Sequence, residues 1–135
     1  MKVVAYRRLE WAIDSFAPYN SPGADGIFLA LLQRAREIGI LHLVRIFRAC
    51  LATGYVPAIW RQVKVVFIPK PNRDSYSGPR VYRPISLTSF LLKTMERLLD
   101  RYLRDEILAP MLLYSNQYAY QAGKLVETAL HQLVV

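Results

Sequence analysis

The chain has 135 residues, 53% of them hydrophobic, and 18 Lys and Arg against 10 Asp and Glu give it a net charge of +8. That length holds at most one domain, and a single cysteine, Cys50 among apolar neighbours, excludes disulfide frameworks and cysteine-ligated zinc. A charge of this sign favours a polyanionic partner: nucleic acid, nucleotide or an anionic membrane.

MKVVAYRRLE turns basic within ten residues, and no later apolar run approaches bilayer-spanning length. Neither a secretory leader nor a membrane anchor is expected, and the chain reads as intracellular, in nucleus or cytoplasm. Leu9, Ala12, Ile13 and Phe16 recur at helical spacing and predict a first helix ended by Pro18. NSPGADG reads as a turn punctuated by Pro22 and Gly23, with Asn20 or Asp25 placed to cap the next helix. From Ile27 to about Ala52 the pattern is helical again, through Leu31, Leu32, Ala35, Ile38, Leu41, Val44 and Phe47, with Gly39 as the point of division. Gly54 is its expected stop, and Pro57 is expected to prevent resumption.

VKVVFI, residues 63–68, is rich in β-branched and aromatic residues and bounded by Pro69, which predicts a strand. RVYRPI lies beyond the loop PNRDSYSGP and supplies the second arm of a long-looped β-hairpin. Thr88 or Ser89 then caps a helix over TSFLLKTMERLLDRYLRD, with Leu91, Leu92, Met95, Leu98, Leu99, Tyr102 and Leu103 as its apolar face. LVETALHQLVV is apolar at helical positions (Val126, Leu130, Leu133, Val134) and lacks a capping glycine. With the high apolar fraction, this predicts surface that expects a cover and an incomplete domain. The fold class is α+β, mostly helical with one long-looped hairpin.

Two-metal nucleotidyl transfer needs carboxylates that converge on the ions. Here the acids are scattered at helix boundaries (Asp14, Asp25), in a turn (Asp74) and on polar helix faces (Glu96, Asp100, Asp105, Glu106, Glu127). His42 and His131 stand without an acidic or thiol partner at ligand spacing, and Ser86 and Ser89 read as turn or cap residues. PGADG lacks the lysine and the preceding strand of a phosphate-cradling loop. No metal site is expected within the chain. The hairpin is different: from Lys64 to Arg83 it holds five bases (Lys64, Lys70, Arg73, Arg80, Arg83) against one acid, half of the chain's net charge. Prolines 69, 71, 79 and 84 stiffen it, and arginine forks grip phosphate oxygens in pairs. Tyr76 and Tyr82 offer faces for a base or sugar. Such a hairpin suits closing over a triphosphate or tracking a nucleic-acid backbone.

WRQVKVVFIPKPNRDSYSGPRVYRPISLTSFLLKTMERLLDRYLRD resembles the fingers region of reverse transcriptases from non-LTR retrotransposons, particularly insect elements of the Jockey and R1 type. SPGADGI is similar to the motif upstream of the fingers, CLATGYVPAIW to the approach, and NQYAYQAGKLVETALHQLV to the motif downstream, so the resemblance runs through nearly the whole chain. It implies a partial right-hand polymerase domain over residues 1–135, the fingers with the start of the palm, in which the basic hairpin folds over the incoming deoxynucleotide.

Carried over, the resemblance gives Arg83 of YRPISL the triphosphate contact, with Lys70 of IPKP, Arg80 and Arg73 as supporting cations. Lys64 is the alternative to Lys70, or lies on the strand facing away. Gly123 and Lys124 of YQAGK would lie near the template, and Lys93 and Glu96 fit the fingers helix or a plain helix-surface charge pair. Asn20 stands where the family usually has lysine, and Leu125 where it has serine or threonine. The family's catalytic aspartates lie beyond the last motif matched, so the resemblance implies a fragment inactive alone, whose Mg2+ belongs to the complete enzyme. Its implied partners are RNA template, DNA primer, deoxynucleoside triphosphate and the missing palm and thumb. A stand-alone basic nucleic-acid-binding module and a degenerate retroelement remnant are the alternatives.

Overall fold

The computed structural model describes residues 2–111, 114, 116–119 and 123–134. It divides into two units, Met1–Asp100 and Arg101–Val135.

In the first unit, helix α1 (Tyr6–Asp14) turns Leu9, Ala12 and Ile13 inward, as the apolar spacing predicts. The long helical stretch is two helices, α2 (Leu29–Arg34) and α3 (Arg36–Thr53), divided at Ala35 and not at Gly39. Ala35 has φ −82° and ψ 0°, one residue outside helical geometry. Gly39 stays inside α3, where an interior glycine costs only about 1 kcal/mol. The bend admits both Leu29 and Ile40 to the core, while Arg36 pairs with Asp14 at 2.6 Å across to α1. Gly54 ends α3 in the left-handed region (φ 64°). Pro57 does not prevent a further helix but starts one, α4 (Ala58–Arg61). A proline at a helix start forfeits no hydrogen bond, because the first amides have no intrahelical acceptor.

Strands β1 (Lys64–Pro69) and β2 (Tyr82–Leu87) form the antiparallel hairpin, with Pro79–Val81 as a short 3-10 turn before β2. Helix α5 (Phe90–Tyr102) comes next, capped by Ser89, whose Oγ accepts the Leu91 amide at 3.1 Å. The core joins Leu9 and Ile13 of α1, Leu29, the Ile40, Val44, Phe47 and Cys50 stripe of α3, Trp60 of α4, and Phe90, Leu91, Met95 and Leu98 of α5. Phe47 meets Trp60 edge to face at 5.9 Å, and Phe16 meets Phe90 at 6.0 Å. Thr94 is buried on the same face, and its hydroxyl donates to the Phe90 carbonyl at 2.7 Å, which satisfies it within the helix. Arg97 reaches back from α5 to lie 4.0 Å over the Phe16 ring and donate to the Ser15 carbonyl.

In the second unit the chain widens into a turn with i→i+5 bonding over Leu103–Leu108, where the Ala109 amide donates to the Arg104 carbonyl at 2.9 Å. Leu103, expected on the apolar face of the preceding helix, is exposed there. Helix α6 (Val126–Val134) matches the helical pattern of the final segment, with Val126 and Leu130 exposed. No helix among the described residues is long and apolar enough to cross a membrane.

Candidate functional site

Every residue of β1 is exposed, and β2 is at most half-buried at its two ends. The hairpin therefore stands outside the helical core, with apolar side chains open on both faces: Phe67 is 66% exposed on one and Ile68 45% on the other. Two prolines fit within the ribbon because both of its strands are edges, which need donate hydrogen bonds on one side only.

Pairing fixes which side chains share a face. Ile68 opposes Arg83, Val66 opposes Ile85 and Lys64 opposes Leu87, so Arg83 and Lys64 lie on one face of the ribbon. Pro69 with Tyr82, Phe67 with Pro84 and Val65 with Ser86 make the other. Lys64 thus shares the face of Arg83, but at the root of the hairpin, about 13 Å along the strand from the pair at the loop end. Arg80 sits on the 3-10 turn that leads into β2.

Arg73, Arg80 and Arg83 are exposed, and none of their three guanidinium groups has a hydrogen-bond or ion-pair partner among the described residues. Lys70 is half-buried and occupied: its Nζ donates to the Arg80 carbonyl at 2.8 Å, and its amide donates to the Val81 carbonyl at 2.8 Å. The two tyrosines are occupied as well. The Tyr76 hydroxyl donates to the Lys70 carbonyl at 3.0 Å and the Tyr82 hydroxyl to the Tyr76 carbonyl at 3.1 Å.

The SPGADG turn is joined to the base of this hairpin. A Cβ on Gly23 would lie 2.6 Å from the Ser89 nitrogen and the Thr88 carbonyl carbon, so the Gly23 backbone is seated directly on the junction of β2 and α5. Within the turn, the Gly26 amide donates to the Gly23 carbonyl at 3.2 Å, and Asp25 accepts the Ile27 amide through Oδ1 at 3.2 Å. Asp25 therefore closes its own turn and is not the cap of α2, whose N-cap position is Phe28 without a side-chain bond.

Gly123 and Lys124 belong to the second unit. Gly123 takes φ 78°, with open space where a Cβ would be. Lys124 donates to the Gln117 carbonyl at 3.0 Å and lies 4.8 Å over the Tyr118 ring. Tyr120, Gln121 and Ala122 of the same motif lie outside the described residues. Lys93, on α5, lies 4.9 Å over the Phe90 ring, and Glu96 beside it is exposed. Among the described residues, no three His, Cys, Asp or Glu side chains gather in a way that could hold a metal ion.

No protein-family model matches the chain. Individual proteins do. Over 133 residues it is 32% identical to a probable RNA-directed DNA polymerase from transposon BS of Drosophila melanogaster, a match covering 98% of this chain and 15% of that protein. The chain is related to the reverse transcriptases of non-LTR retrotransposons. A probable RNA-directed DNA polymerase from transposon X-element of the same fly is 30% identical over 115 residues, covering 85% of this chain and 13% of that protein. A retrovirus-related Pol polyprotein from type-1 retrotransposable element R2 of Popillia japonica is 31% identical over 132 residues, covering 94% and 16%. The chain thus spans about one-seventh of the length of these relatives.

Within this reverse-transcriptase-related chain, the structure brings Lys70, Arg80 and Arg83 to one end of one hairpin, with Arg73 in the loop between them. Three features of that hairpin and of the turn joined to its base escaped the sequence. The tyrosine hydroxyls turn back onto the loop's own carbonyls, a contact that composition does not signal. Asn72 adopts φ 57°, for which Asn in a PN turn was the available sign. Gly23 reads as turn punctuation, yet its lack of a side chain serves a backbone contact from 65 residues further along the chain.

Proposed function

We propose that this chain is the fingers portion of an RNA-directed DNA polymerase, and that its hairpin receives the triphosphate of the incoming deoxynucleotide. Arg83 is the principal contact, Arg80 and Arg73 support it, and Lys70 stands beside them. Gly123 and Lys124 lie toward the template. The observation that carries this reading is the set of exposed arginines on a stiff ribbon with no neutralising acid against them. A guanidinium without an internal partner need break no bond to accept a phosphate, and its planar fork matches two phosphate oxygens at once.

In the whole polymerase, palm carboxylates hold the Mg2+ that balances charge on the attacking and leaving oxygens during transfer. The hairpin's part is positioning and charge balance around the triphosphate, with RNA template and DNA primer held by the remaining polymerase. The 135-residue chain grips without catalysing. Incubated with a primed RNA template, all four deoxynucleoside triphosphates and Mg2+, the purified chain is expected to give no primer extension on a sequencing gel. Template-dependent product would contradict the assignment of catalysis to other segments.

A further inference from the structure

Two serine hydroxyls stand at the tip of the hairpin, between arginines. Ser75 and Ser77 are exposed, their Oγ atoms lie 2.9 Å apart, and the Ser77 amide donates to the Ser75 Oγ at 3.4 Å. Arg73 comes before Ser77 and Arg80 after it, and the one acid of the hairpin, Asp74, is beside Arg73. The strand ladder ends where Pro69 meets Tyr82, and the Lys70 amide adds one further bond to the Val81 carbonyl. Among the described residues, the segment 71–77 makes no backbone-to-backbone hydrogen bond. It can enter an enzyme's cleft at the loss of the two tyrosine hydroxyl bonds, from Tyr82 to the Tyr76 carbonyl and from Tyr76 to the Lys70 carbonyl. Ser86 is the contrast. An arginine, Arg83, also precedes it on β2, but the Ser86 backbone is committed to the ladder opposite Val65, so reaching it means unzipping the strands.

We propose that Ser77 is a phosphorylation site for an arginine-directed serine/threonine protein kinase, and that the phosphate placed there weakens the hairpin's hold on a triphosphate by occupying Arg73 and Arg80. The effect on the triphosphate rests on the reading of the hairpin as a triphosphate-binding element. The kinase brings ATP: the Ser77 Oγ attacks the γ-phosphorus, the bond to the bridging oxygen breaks, ADP leaves, and the hydroxyl proton passes to the kinase's base. Kinases choose substrates partly by charge pattern, and a tip with an arginine on either side suits an acidic substrate groove. The product carries about −1.5 to −2 of charge and three acceptor oxygens, which offsets roughly half of the hairpin's positive surplus. Because it is tethered, it meets Arg73 and Arg80 at an effective concentration on the order of millimolar. Their guanidinium groups have no partner among the described residues to give up for it. Lys70, and Arg83 on β2, keep their charge, so the hold is weakened and not abolished.

The test treats the full chain, Ser77→Ala and Ser86→Ala with Mg2+, ATP and the catalytic domain of protein kinase A or protein kinase C, each active on a basic control peptide. The phosphate is mapped by tandem mass spectrometry, and modified and unmodified chains are titrated with deoxythymidine triphosphate. One phosphate is expected, at Ser77, in the unaltered chain and in Ser86→Ala, and none in Ser77→Ala. Affinity for the nucleotide is expected to fall about tenfold on modification, the effect of charge-assisted contacts already taken. Phosphorus NMR is expected to show the phosphate titrating at lower pH than phosphoserine in an unstructured peptide, since neighbouring guanidinium groups favour its dianion, and Arg73→Gln with Arg80→Gln should remove the difference. No phosphate at Ser77, or one at Ser75 or Ser86 in its place, overturns the site. Ordinary titration of the phosphate overturns its capture by the arginines, and undiminished nucleotide affinity overturns its effect on the hairpin. If the unmodified chain binds no nucleotide while the phosphate still titrates low, the modification site and its capture stand and the triphosphate reading falls.

Discussion

Replacing Gly23 with alanine is expected to destabilise the first unit by about 3 kcal/mol, at the upper end of ordinary overpacking costs. The added Cβ meets the Ser89 nitrogen and Thr88 carbonyl carbon at 2.6 Å and the Thr88 oxygen at 2.8 Å, all backbone atoms that no rotamer change can move aside. Relief requires separating the SPGADG turn from the β2–α5 junction. That junction carries Ser89 and Phe90, both buried, and the cap of α5, so the disturbance enters the core and the root of the hairpin together. A melt monitored by circular dichroism should show a fall of roughly 10 °C or more for a unit of this size. Gly39→Ala is the matching control. Nothing lies within 4 Å of its Cβ position in the interior of α3, and the substitution should stabilise by about 0.5–1 kcal/mol. Equal melting of Gly23→Ala and the unaltered chain would show that the turn does not brace the hairpin.

The second large effect concerns binding. Arg83→Glu is expected to reduce affinity for a deoxynucleoside triphosphate at low ionic strength by roughly tenfold or more, because one charge-assisted contact worth about 1.5–3 kcal/mol is replaced by repulsion. The effect should shrink as salt is added, since the hairpin is open to solvent on both faces. Arg45→Glu on the exposed side of α3 makes the same change in net charge elsewhere in the same unit. Equilibrium dialysis of the two variants separates a site from a general field: a nucleotide drawn by net charge alone responds equally to both.

The hairpin was legible because VKVVFI and RVYRPI are β-branched or aromatic runs closed by prolines, and α1 and α5 because their apolar positions recur with the helical period. The bend at Ala35 was not, since it answers to Leu29, Ile40 and Arg36 each finding a partner in other elements. Local glycine content pointed to Gly39 instead. Register was hidden for the same reason, and with it the placing of Lys64 on the face of Arg83. At the candidate site, residue type gave away the cations but not which of them were already engaged. Lys70 and the arginines look alike in a charge count, and only the Arg80 carbonyl 2.8 Å from the Lys70 ammonium distinguishes them.

That a triphosphate lodges against the arginine-bearing end of the hairpin is tested most directly by recording amide chemical shifts of the whole chain while deoxythymidine triphosphate is added. The largest changes should fall at Arg80 to Arg83 and on Ile68 across the ladder, and should be lost in Arg83→Glu. Changes concentrated on the exposed arginines of α3, or spread evenly over every basic surface, would contradict it.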